Sequence, residues 1–217
     1  MNVFKNLMSI FLLLVLVIVS SCDNTTDPVP VVSSTFSNLD ADAGTSRGPQ
    51  GQAIGTTGHF TFFNFKTGLV VSLADSSSTK WDIGFRGTTI IVNSATSGPG
   101  SAQVQIVSGI FDQFTEAPAD GYISDNDPSP IDPAPNSKLA IPTGSGQGWY
   151  TYDAANFVIK PTAGKILIIK TADNRYVKME ILSYYKNAPA TPNFQADIDR
   201  YYTFRYVYQP NDTRLFN

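Results

Sequence analysis

The side chains able to do acid–base, nucleophilic or metal chemistry are few. There is one histidine, His59, and one cysteine, Cys22, in 217 residues. A single imidazole excludes any mechanism that needs two, and a histidine-based triad would have to be built around His59. That residue follows Gly58 at the mouth of the first aromatic run, and no cue puts a serine or an acid beside it. A lone thiol excludes an internal disulfide and a cysteine-rich zinc site. There is no Gly-x-Ser-x-Gly elbow, phosphate loop or dinucleotide glycine pattern, and Gly98-Pro99-Gly100 has nothing helical after it. Asp125-Asn126-Asp127, with Asp132 beyond, offers hard oxygen ligands at a spacing that could suit Ca²⁺. Pro130 and Asn136 stand where an EF-hand loop needs its glycine and its terminal acid, so a solvated turn is expected. Of the 18 acids only Glu116 and Glu180 are glutamates, and no aspartate is marked by context as the acid of a glycosidase pair. The inventory marks no catalytic constellation.

The elements that must position these residues read as strands. The chain holds 26 aromatics, 16 glycines and 14 prolines, and runs of β-branched and aromatic residues alternate with Gly, Pro, Asn and Asp clusters. Phe60 to Phe65 and Leu69-Val70-Val71, separated by Lys66-Thr67-Gly68, form an expected hairpin. Trp81-Asp82-Ile83-Gly84-Phe85 has its large apolar residues at odd positions, the period that buries one face. Strands are expected at Thr88–Val92, around Val104 and Ile106 as far as Ile110, at Trp149–Tyr152, Phe157–Ile159, Ile166–Ile169, Tyr176–Ile181 and Tyr202–Tyr208. Five prolines between Gly121 and Gly148 remove five ladder donors and mark a long connection. Gln195–Asp199 has room for one helical turn. Tyr202, Phe204, Tyr206 and Tyr208 alternate on one strand face, where sheet packing is the expected role of most tyrosines. The fold class is all-β, with antiparallel sheets. A net charge of −3 gives no basic surplus for nucleic acid.

The amino terminus reads as an address. Lys5 precedes the apolar run Ile10–Val19, which ends in Ser20-Ser21-Cys22; the run is short for a membrane span and right for a secretory signal. Val19-Ser20-Ser21-Cys22 resembles a bacterial lipobox, whose cysteine is acylated and becomes the first mature residue. The expected organisation is a signal peptide over 1–21, a lipidated flexible tether over 22–58, rich in Ser, Thr, Asp and Gly, and one β domain over 59–217.

Several motifs, in order, resemble HmuY-like proteins: Phe62-Phe63-Asn64-Phe65-Lys66-Thr67-Gly68-Leu69-Val70-Val71; Trp81-Asp82-Ile83-Gly84-Phe85-Arg86; Ala117-Pro118-Ala119-Asp120-Gly121-Tyr122; Gly148-Trp149-Tyr150; Tyr176 through Tyr185; and Tyr201-Tyr202-Thr203-Phe204-Arg205-Tyr206. The resemblance implies an outer-membrane, surface-exposed lipoprotein of Bacteroidota with a single hand-shaped β domain. It also implies haem capture for iron acquisition and delivery to a TonB-dependent receptor. Family haem is held by two axial histidines or methionines. One family histidine position falls on Ala154 here, and residues 123–147 contain neither His nor Met. Under the resemblance, haem contacts would fall to Tyr150, Tyr152 or His59, with Arg86 near a propionate. A haem-independent interaction or structural lipoprotein that keeps the fold is the alternative.

Overall fold

The structure, a computed structural model, describes residues 29–125 and 139–217. The signal peptide, Cys22, and Asn126, Asp127 and Asp132 of the acidic motif lie outside the described residues, as do four of the five prolines of the long connection.

Among the described residues thirteen strands follow one another: β1 (Val32–Asp40), β2 (Ser46–Arg47), β3 (Ala53–Ile54), β4 (Thr61–Asn64), β5 (Leu69–Val71), β6 (Ile83–Arg86), β7 (Thr89–Val92), β8 (Gln103–Ser108), β9 (Tyr150–Asp153), β10 (Val158–Pro161), β11 (Lys165–Lys170), β12 (Tyr176–Tyr185) and β13 (Asp199–Gln209). The helical content described is two short 3-10 turns, Leu73–Asp75 and Phe111–Gln113. A five-stranded sheet runs β1-β13-β12-β11-β8 and a four-stranded sheet β5-β4-β6-β7; β9 and β10 form a separate hairpin, and β2 and β3 a short ribbon. Every pairing is antiparallel. For the neighbours joined by short turns, β4–β5, β6–β7, β9–β10 and β11–β12, antiparallel order follows from the connection, since parallel neighbours need long crossovers.

The two larger sheets meet along an aromatic seam. Alternation puts Tyr202, Phe204, Tyr206 and Tyr208 of β13 on the inner face, as their spacing implied. Phe204 lies edge-on to Phe63 at 5.2 Å and stacked with Phe85 at 5.6 Å, while Tyr206 meets Phe65 at 5.2 Å. Edge-to-face and offset rings suit the aromatic quadrupole and add roughly 0.5–1.5 kcal/mol per pair beyond burial. The outer face of the five-stranded sheet carries a second cluster, with Ile166, Ile168 and Val207 under Phe111 and Phe216.

Four expectations need correction. The tether expected over 22–58 ends earlier: Val32–Asp40 is the edge strand of the main sheet, paired with β13 from Val32↔Tyr208 to Asp40↔Tyr201 with a register shift between Phe36 and Leu39. Its Ser/Thr-rich face is solvent-exposed while Phe36 and Leu39 pack inward, so composition mimicked a linker. The Trp81–Phe85 run is buried throughout, because Trp81, Phe62, Ile91 and Leu139 form a further cluster on the side of the small sheet away from the seam. Gly84 permits this: a Cβ there would sit 3.0 Å from the Phe62 ring and 3.1 Å from Ile91. Residues 195–199 make no helix. Asn193 instead builds a tight turn, its carbonyl accepting from Asp197 N–H at 2.8 Å, and Asp199 already belongs to β13. Ile110 likewise falls outside the strand, exposed at the start of the second 3-10 turn.

Candidate functional site

The residues expected to contact a ligand do not come together. Tyr150 is buried in the core against Trp149, with ring centroids 4.9 Å apart, and its ring serves packing. Tyr152, one pleat further along β9, is exposed, and its N–H donates to Ser145 Oγ at 2.8 Å. His59 is exposed, its N–H directed at Thr57 Oγ1. Arg86 is half-buried over the Phe60 ring at 4.7 Å and donates to the Gly58 carbonyl at 3.4 Å. Thus His59 and Arg86 are neighbours on one side of the small sheet, whereas the tyrosines sit on the β9–β10 hairpin. Asp125 is no solvated turn: it is fully buried, Oδ1 accepting Ala140 N–H at 2.7 Å and Oδ2 accepting Val92 N–H at 2.8 Å. Among the described residues no cluster of three or more His, Cys, Asp or Glu could hold a metal ion.

What the hairpin does create is an aromatic-walled groove. Asp153 closes its turn, accepting from the Ala155 and Asn156 N–H groups at 3.1 and 3.2 Å and from Lys160 Nζ at 2.7 Å. The Lys160 contact and the Asn156 side chain hold the Asp153 carboxyl well below the usual range. The turn ends in Phe157, whose φ of +55° is left-handed and whose ring is 58% exposed. Non-glycine residues pay about 1–2 kcal/mol for that conformation. Opposite it, the Asn193 turn presents Phe194, 46% exposed, with ring centroids 5.2 Å apart. Two large exposed rings held by tight turns and packed on each other form an apolar wall at the surface.

Three adjoining recesses surround this pair. One of about 370 Å³ lies between the hairpin tip and residues 191–195. A second, about 450 Å³, has Thr88, Ile159, Tyr184 and Tyr185 in its lining, and a third, about 550 Å³, reaches Gln50 and Gln52. The floor is rigid: Trp149 Nε1 donates to the Thr88 carbonyl at 3.0 Å, the Tyr202 hydroxyl to the Gly87 carbonyl at 2.9 Å, and Ile159 N–H to the Tyr185 hydroxyl oxygen at 3.0 Å. Burial pushes the Tyr184 and Tyr185 phenols above their ordinary range, so both stay protonated at neutral pH. Asp197, Asp199 and Arg200 share the second recess, and Arg200 is engaged by Asp42 at 2.6 Å and the Gly55 carbonyl at 2.7 Å.

The arrangement does not suit an iron held by two axial side chains. Ala154 lies at the exposed hairpin tip, Met179 is fully buried in the core, and His59 is not among the groove-lining residues. The groove offers ring contact, amide groups and phenols instead. Sequence reasoning passed over Phe157 and Phe194. The available signal was an Asn-Phe pair, Asn156-Phe157 and Asn193-Phe194, in each of two turn-rich stretches.

A search of curated protein sequences gave no match. A Tannerella forsythia HmuY analogue, solved in its apo form, superposes with a TM-score of 0.53 at 14% identity, covering 85% of this chain and all of that one. A Bacteroides vulgatus protein with a provisional HmuY-like, haem-binding designation gives 0.49 at 18% identity, over 82% of this chain and 93% of its own. The sequence profile described as HmuY protein matches residues 56–206, a span from just before the first aromatic run into β13, and the chain therefore belongs to the HmuY family.

Proposed function

We propose that the protein is a lipid-anchored, non-catalytic capture protein that holds a flat, largely apolar ligand of the haem class against the Phe157–Phe194 wall. The carrying observation is that wall: two exposed rings 5.2 Å apart above a groove, on a domain of the HmuY family. Family membership supports the tetrapyrrole class, and the missing axial pair indicates that ring contact and desolvation supply the affinity. Anchoring rests on the Cys22 lipobox, and no helix among the described residues is long and apolar enough to cross a membrane. An outer-membrane location and hand-over to a TonB-dependent receptor complete this reading.

Titration of the purified protein with haem and with metal-free protoporphyrin tests it. Saturable binding of both, weakened at least tenfold by Phe157→Ala/Phe194→Ala, is the expected result. No binding of either by folded protein would favour the second reading, a haem-independent interaction lipoprotein. That alternative draws on Asp197 and Asp199, which give the second recess a negative balance unfavourable to propionates.

A further inference from the structure

A separate recess of about 490 Å³ lies on the outer face of the five-stranded sheet and shares no lining residue with the groove, with Ser33 and Thr35 of β1, Lys178 of β12, Arg205 of β13 and the rings of Phe111 and Phe216 in its lining. Its unusual member is Lys178, only 4% exposed. The ammonium donates to the Phe111 and Phe114 carbonyls, both at 2.9 Å, and lies 4.6 Å from the Phe111 ring centre and 5.7 Å from that of Phe216. Buried cations are normally paired with a carboxylate. Here the nearby carboxylates are claimed by Arg205, which meets Glu180 at 2.8 Å and Asp112 at 3.3 Å. Two carbonyls use two of the three ammonium hydrogens and leave one donor. Burial pushes the Lys178 pKa down and Arg205 adds to this, with Asp112 opposing, so an arriving anion would relieve the cost of keeping the charge. The charged side chains lining the recess, Asp112, Lys178 and Arg205, sum to +1 on a chain of net charge −3.

We propose that this recess is an oxyanion site taking a phosphate group, with Lys178 as the charge partner and the Ser33 and Thr35 hydroxyls as further donors. Its position adds a source. The described chain enters beside it: Asn211 Nδ2 donates to the Val29 carbonyl at 2.7 Å, and Val31 packs on the Phe111–Phe216 cluster. Cys22 is seven residues upstream of Val29, a reach of roughly 25 Å at full extension. If Cys22 is acylated, as proposed above, the chain beside the recess is tethered by no more than that reach to the membrane that carries lipid phosphates.

The test uses the purified lipoprotein in neutral detergent micelles, with amide chemical shifts as readout. Inorganic phosphate is expected to give saturable shifts at Ser33, Thr35, Phe111 and Lys178, weakened at least fivefold by Ser33→Ala/Thr35→Val at unchanged Tm and abolished by Lys178→Met. Phosphatidylglycerol doped into the micelles, against phosphatidylcholine, separates the sources. A stronger response to phosphatidylglycerol assigns a lipid headgroup; a response to inorganic phosphate alone assigns a soluble phosphate compound, and either supports the site. No saturable shift in either arm, or shifts that the hydroxyl variant leaves unchanged, would overturn it. A chain found unacylated removes the membrane source while leaving the phosphate arm to stand or fall alone.

Discussion

Asp82 links the two sheets through a single carboxylate. Oδ2 accepts the Phe65 N–H at 2.9 Å within the small sheet, and Oδ1 accepts the Ala172 N–H at 3.0 Å from the turn between β11 and β12. The side chain is buried, and desolvation raises its pKa from 3.8 to about 6 despite both hydrogen bonds, with the charge of Asp173 adding to the rise. A carboxyl whose folded pKa lies above its unfolded value binds its proton more tightly when folded. Its contribution is therefore full below about pH 4 and is lost as pH rises through about 6. The shift corresponds to on the order of 3 kcal/mol. Asp82→Asn keeps one acceptor but turns an amide donor toward the other backbone N–H, so it is expected to be less stable than wild type by about 1–3 kcal/mol at pH 7. Because the asparagine does not titrate, the gap between wild type and variant should widen on acidification from pH 7 to pH 4. Paired thermal melts across that range check this, and a gap that narrows would refute it. Nothing about this residue was legible beforehand: the Trp81–Phe85 alternation places Asp82 on the face opposite Trp81 and Ile83, and only the fold shows that face to be covered as well.

At the scale of elements, the β9–β10 hairpin carries its ring through a strained turn. At φ +55° a side chain costs more than glycine does, so Phe157→Gly and Phe157→Ala should differ although both delete the ring. The glycine variant is expected to melt higher, by about 1 kcal/mol in stability, while both lose ligand binding alike. Equal melting temperatures would mean that the turn relaxes when the ring is removed. The sequence was informative about elements wherever one period ran unbroken. Tyr202 to Tyr208 alternates cleanly, and the Phe60–Val71 hairpin is punctuated by Lys66-Thr67-Gly68, with Phe63↔Val70 in register. It was poor where the Phe157–Phe194 wall lies, because a turn residue's exposure depends on what its neighbours leave open and follows no period. Phe157 and Phe194 are 37 residues apart and meet only through tertiary packing. The burial of Tyr150 was hidden for the converse reason: it carries a polar tip suited to a cleft, yet its ring packs on Trp149, which Tyr184 and Tyr202 also contact.

For the whole molecule, the question is where the folded unit begins. The family profile starts at residue 56, beyond β1, and the Ser/Thr-rich composition of 23–58 also argues for a tether. The structure gives β1 a share of the core. Phe36 stacks on Phe204 at 5.7 Å and meets Phe63 edge-on at 5.0 Å, and Leu39 and Ala41 are essentially unexposed. Beyond the strand, Ala41 N–H donates to the Arg200 carbonyl at 2.8 Å, and the Ala41 carbonyl accepts from Gly87 N–H at 2.6 Å, tying β13 to the β6–β7 turn. Asp42, fully buried, adds the ion pair to Arg200 and accepts from the Thr57 N–H at 2.9 Å. Burying Phe36 and Leu39 stabilises by roughly 2 kcal/mol each. Losing β1 together with the Ala41–Asp42 segment would also leave Arg200 without its buried carboxylate and turn β13, the strand bearing the aromatic seam, into an exposed edge. Against a total of about 5–15 kcal/mol for a domain, these losses are decisive. A fragment of residues 56–217 is therefore expected to show no cooperative thermal transition and to expose apolar surface to a hydrophobic dye, whereas 29–217 melts cooperatively. A 56–217 fragment with the same melting temperature as the longer one would show that β1 only rests on a domain complete without it.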